Sequence, residues 1–130
     1  MTSEIDQLTL RFPARPGYLV ICRLNAAAVG TAAGFDVEEL DDLRLAVTEV
    51  ITWLLADDTV GGEVELRLAV ADGQVEIDGS RSGAGLAPNP ADELVEAILG
   101  ATVDDFELTE TGADERRIRL TKAKAPVDAG

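Results

Sequence analysis

Apolar and polar residues alternate strictly along Val64 to Val70, with Leu66 and Leu68 on one side and Glu65, Arg67 and Ala69 on the other. This period of two predicts a strand with one face on a core. A shorter alternation at Leu8 to Phe12 predicts a first strand, broken by Pro13 and Pro16. Pro16 suits the first turn of a helix running to about Ala33, with Leu19, Val20, Leu24, Ala27, Ala28 and Thr31 at three- and four-residue steps and Gly34 as its stop. The second helix has the sharpest start. Asp36 is a good N-cap, Glu39 three residues on completes a capping box, and Phe35 and Leu40 are placed as a hydrophobic staple. Leu40, Leu43, Val47, Val50, Ile51 and Leu54 continue it as one apolar stripe.

After a turn-rich connection at Asp57 to Gly62 and the Val64 strand, Ala71-Asp72-Gly73 predicts a hairpin turn, and Val75 and Ile77 mark the returning strand. Gly79 to Pro88 reads as a loop. Asn89-Pro90 opens a third helix whose buried side is Leu94, Val95, Ile98 and Leu99, closed by Gly100. Phe106 and Leu108, a turn at Gly112, then Ile118 and Leu120 give a final hairpin. The order β-α-α-β-β-α-β-β predicts an α+β fold: a two-layer sandwich with helices on one face of a mixed, mainly antiparallel sheet. A single domain is expected over residues 1–123, with residues 124–130 as a frayed tail.

Composition narrows the chemistry. The chain has 130 residues, 46% of them apolar and 28% charged, as in a folded soluble domain. It has no apolar run long enough to span a bilayer and no secretion signal at MTSEIDQ, so a cytoplasmic protein without membrane contact is expected. One cysteine, Cys22, and no histidine exclude an internal disulfide, a Cys-based zinc site and His-based chemistry, and no metal site is assigned. Eleven basic against 25 acidic residues give a net charge of −14, which repels nucleic acid and would steer a basic protein partner, although solubility alone explains such charge.

Four segments carry a family resemblance. LRFPARPGYLVICRLNAAAV supplies a strand, a Pro-bounded turn and a helix; LRLAVTEV, residues 43–50, leads into a helix bearing Glu49; VEIDGSRSGAGLAP is a strand and glycine loop; VDDFELTETGADERRIRLTKA is a closing hairpin. In this order they resemble the GHKL ATPases, specifically the bacterial anti-sigma-factor serine kinases with the Bergerat fold. The resemblance implies ATP and Mg²⁺ as cofactors, with Glu49 as general base. Four residues on, where the family has a magnesium-binding Asn, stands Trp53, whose indole offers a donor and no oxygen. Where the family has an adenine-binding Asp stands Arg81, again without an acceptor, while Gly83 and Gly85 of that box remain. Asp78 could replace that Asp only with the loop shifted by several residues. The glycine lid before the last helix is replaced by NPADELVEAILG.

These departures favour no cofactor and a degenerate pseudo-kinase. The resemblance implies a regulator that binds a sigma factor and a STAS-type anti-anti-sigma protein in turn, as a homodimer. The alternative is an active ATP-dependent serine kinase of the STAS partner, with Glu49 as base and Gly83 and Gly85 shaping the nucleotide loop. A third reading has Arg81 binding a small anion. Each residue also has a plainer reading: Glu49 as a solvated helix acid, Trp53 as a core aromatic, Arg81 as a surface cation, Cys22 as an inert thiol, and Arg116 and Arg117 as edge-strand charge.

Overall fold

A computed structural model describes residues 6–57, 60–110 and 114–126. Along the chain come β1 (Asp6–Pro13), a 3-10 turn (Pro16–Tyr18), α1 (Leu19–Ala32), α2 (Val37–Leu55), β2 (Glu63–Ala71), β3 (Gln74–Ser82), α3 (Glu93–Thr102), β4 (Asp105–Glu110) and β5 (Glu115–Ala123). The predicted α+β order is present. The sheet runs β1-β2-β3-β5-β4, and all of these neighbours pair antiparallel, so the expected mixed component is absent from it.

Local chemistry sets the two best-defined joints. Asp36 accepts from the Glu39 amide at 2.8 Å while the Glu39 carboxylate accepts from the Asp36 amide at 2.9 Å, a complete capping box at the start of α2. The β2–β3 hairpin turns through Asp72 and Gly73, both at positive φ (53° and 74°), as a two-residue turn matched to strand twist requires. Val64, Leu66, Leu68 and Val70 of β2 are buried, as are Val75 and Ile77 of β3 and Ile118 and Leu120 of β5. They join Leu43, Ala46, Val47, Val50, Ile51 and Leu54 of α2 in one core between sheet and helices.

The structure corrects several expectations. The buried side of α1 is the small-residue row Cys22, Ala26, Val29 and Gly30, whereas Val20 and Leu24 of the expected stripe lie outside, 56% and 66% exposed. Small residues let α1 approach α2: a Cβ at Gly30 would fall 2.8 Å from Leu40 and 3.2 Å from Phe35, the staple pair. β3 extends to Ser82, so the first four residues of the expected Gly79–Pro88 loop are strand. α3 starts later than Asn89, capped by Asp92, whose carboxylate accepts from the Val95 amide at 2.8 Å, and it runs past Gly100 to Thr102 with Leu94 exposed. β5 is an interior strand, so Arg116 is no edge charge. The Gly112 turn and residues 127–130 of the tail lie outside the described residues. Lys124 and Ala125 donate backbone hydrogen bonds to the Gly73 carbonyl (2.7 Å) and the Glu39 carboxylate (2.6 Å).

Candidate functional site

Glu49 and Trp53 lie one turn apart near the C-terminal end of α2. Glu49 is half-buried; Trp53 is 6% exposed. The Trp53 indole N–H donates to the Asn89 carbonyl at 2.7 Å, and the Asn89 side-chain amide donates back to the Trp53 carbonyl at 3.2 Å. The Asn89 amide in turn donates to the Glu110 carboxylate of β4. Asn89 is therefore a strut between the end of α2, its own loop and β4. It is not the cap of α3, a place taken by Asp92.

Arg81 is the largest correction. Alternation along β3 carries Val75, Ile77, Gly79 and Arg81 to the helix side, and the Arg81 side chain is wholly buried. Its Nη1 donates to the carbonyls of Leu54 (3.1 Å) and Ala56 (2.6 Å), and its Nη2 to those of Asp57 (2.6 Å) and Gly61 (3.0 Å). Arg116, its register partner on β5, is 1% exposed and converges on the same place. Arg116 Nη1 reaches the carbonyls of Trp53 (3.3 Å), Leu54 (3.4 Å) and Ala56 (2.7 Å), and Nη2 that of Ala87 (2.8 Å). Its guanidinium also lies 5.9 Å from the Trp53 ring centroid.

The physical reason is the helix end. The last carbonyls of α2 have no intrahelical partner and carry the negative end of the helix dipole, so cations bind there. A hydrogen bond to a charged group contributes about 1.5–3 kcal/mol net of the water contacts it replaces. Burial pulls the Arg116 guanidinium below its ordinary value, and the charges of Glu110 and Asp57 push it back up. It stays cationic at any physiological pH.

Gly83 and Gly85 serve the loop itself. The Gly83 amide donates to the Asp114 carbonyl (3.0 Å) and the Gly85 amide to the Asp114 carboxylate (2.8 Å), tying the loop to the start of β5. Gly85 adopts φ 82°, and Leu86 beside it is 5% exposed. Asp78 pairs in register with Arg67 and Arg119 on the opposite face of the sheet, so it cannot take the place of the adenine-binding Asp.

Mg·ATP does not fit these residues. Mg²⁺ requires oxygen ligands in near-octahedral order, and the position available offers an indole N–H already spent on Asn89. The adenine amino group requires an acceptor, and Arg81 offers donors engaged by four carbonyls. Among the described residues no group of three or more carboxylate, Cys or His ligands could hold a metal. A cavity of about 270 Å³ does lie at this end of α2, on its α1 side, walled by Pro16, Leu19, Thr52, Leu55, Ala56 and Asp57. Its wall suits an apolar side chain better than a phosphate chain. No helix of the described residues is long and apolar enough to cross a membrane.

No family profile matches the chain. Individual proteins do. The chain is 30% identical over 138 residues to the serine-protein kinase RsbW of Bacillus licheniformis, covering 92% of this chain and 82% of the relative. It is 31% identical over 86 residues to the serine-protein kinase RsbW of Listeria monocytogenes serotype 4a (strain HCC23), covering 64% of this chain but only 55% of that relative's length. Among solved structures, the RsbU and RsbW domains of Rv1364c from Mycobacterium tuberculosis superpose with a TM-score of 0.67 at 20% identity, over 91% of this chain and 32% of that one. That likeness speaks to the fold. The extended alignment with the Bacillus protein establishes kinship: the chain belongs to the RsbW family of GHKL-type anti-sigma-factor serine kinases.

Proposed function

We propose that this chain regulates transcription by protein contact, binding a sigma factor or a STAS-type anti-anti-sigma protein in turn, without transferring phosphate. The observation that carries this reading is Trp53, which stands where the family places its magnesium-binding amide and is fastened to Asn89 by two hydrogen bonds. A chain that holds neither Mg²⁺ nor adenine acts through its surface, and partner choice is then set by relative affinity and concentration.

The contact surface in this proposal is α1 with the cavity beside Pro16. Residues 7–35 contain no Asp or Glu, in a chain with 25 of them, and carry Arg11, Arg15 and Arg23. Val20, Ile21 and Leu24 are exposed on this stretch. An apolar, mildly cationic face on an acidic protein is where a partner docks with least like-charge repulsion. A homodimer is part of the same proposal, by family kinship.

Copurification with candidate sigma factors and STAS proteins of the source organism, followed by size-exclusion analysis and a phosphotransfer assay with labelled ATP, tests it. The reading requires mutually exclusive complexes and no labelled STAS protein. Labelled STAS protein would establish instead the second reading, an active serine kinase with Glu49 as base.

A further inference from the structure

We propose that Arg81 and Arg116 act as an internal guanidinium ligand that fills a carbonyl cradle at the end of α2, and that this chain's partner binding does not respond to nucleotide. The cradle is built from the carbonyls of Trp53, Leu54, Ala56, Asp57, Gly61 and Ala87. Three pieces of chain supply it: the α2 terminus, the turn before β2 and the loop after β3. Two of its carbonyls, Leu54 and Ala56, accept from both arginines, so the two side chains are gripped as a unit.

The chemistry of the cradle is selective. Every group it presents is an acceptor at the negative end of a helix dipole. A planar guanidinium matches such a set, whereas a polyphosphate, itself all acceptors, is repelled. Removing the arginines therefore does not restore a nucleotide site. It leaves unsatisfied carbonyls that select another guanidinium. Arg81, Arg116 and the Trp53–Asn89 pair tie together the end of α2, strand β3 with β5, and the loop that follows β3. The cradle stands on geometry alone, while indifference of partner binding to nucleotide rests on the contact-regulator reading above.

Chemical rescue tests the cradle. Arg81→Gly, Arg116→Gly, Arg81→Lys and Arg116→Lys variants are compared with the parent by thermal unfolding in methylguanidinium chloride or sodium chloride at equal millimolar concentration, and separately with Mg·ATP. Each Gly variant is expected to lose roughly 10–20 °C of Tm, and methylguanidinium to recover part of that loss while leaving the parent unchanged. The Lys variants, charged but unable to span two carbonyl sets, stay below the parent. Should a Gly variant fail to fold, the Lys variant of the same position and its response to methylguanidinium decide the matter. Gly variants as stable as the parent, equal response to both salts, or a Mg²⁺-dependent ATP shift in any of these proteins would each overturn the proposal. Rescue in a chain that binds neither sigma factor nor STAS protein would leave the internal ligand standing and remove the contact-regulator reading.

Discussion

Trp53 and Asn89 exchange two hydrogen bonds across 36 residues of chain, indole N–H to carbonyl and side-chain amide to carbonyl. The pair closes the end of α2 against the loop that follows β3. Trp53→Phe keeps the ring and loses the donor, leaving the Asn89 carbonyl short of a partner. It is expected to destabilise the fold by about 1 kcal/mol, read as a lower urea midpoint. The loop of residues 83–92 should also be cleaved faster by a protease that ignores the native core.

Gly62 and Gly85 separate steric need from conformational preference. Both have positive φ (101° and 82°), but a Cβ on Gly62 would fall 1.9 Å from the Ser82 carbonyl oxygen, while one on Gly85 meets nothing within 4 Å. Gly85→Ala is expected to cost about 1–2 kcal/mol, the left-handed backbone penalty. Gly62→Ala must also displace β3 where it leads into the loop, and it is expected to fall in the severe class above about 4 kcal/mol. Equilibrium denaturation of the two variants side by side gives the comparison.

Glu39 links pH to stability. Its carboxylate accepts from the Asp36 amide and then from the Ala125 amide, and these bonds hold its pKa below the ordinary glutamate range. A lowered folded-state pKa means that the unfolded chain takes up the proton first as pH falls. The stabilisation is present above the ordinary glutamate value and is lost below roughly pH 4. The stability gap between parent and Glu39→Gln, measured by urea denaturation, should therefore be open near neutrality and narrow on acidification through that window.

Cys22 sits on the buried face of α1, and burial pushes its thiol up to about 11. The thiolate is the reactive form, so alkylation at mildly alkaline pH should wait for unfolding and proceed at the rate of opening. Because the folded value is raised, its contribution to stability is present below the ordinary thiol value and lost as pH climbs through 11.

Local signals carried most of the fold. The Asp36/Glu39 capping box and the Val64–Val70 alternation each lie within a few residues, and both stand in the structure as read. α1 misled because its apolar residues cover more than one side, and the packing of Gly30 against Leu40 and Phe35, which selects the small-residue side, depends on the next helix. The site was half legible. Trp53 and Arg81 stood out as departures at family positions, but the purpose of Arg81 depends on carbonyls some 20 to 27 residues away. One signal was available: Val75, Ile77 and Gly79 alternate toward the core, and two further steps bring Arg81 to the same side, as Ile118 does for Arg116 on β5. A charged residue in phase with buried ones asks for a partner inside. Asn89 gave no such signal, because an Asn before Pro reads equally well as a cap.

Calorimetric titration of the purified chain with ATP and with ADP, each with and without Mg²⁺, tests the central claim most directly. The closed α2 terminus predicts no binding heat with any of the four at millimolar nucleotide. Saturable, Mg²⁺-dependent binding in the micromolar range would contradict the account and return Glu49 to the role of a kinase base.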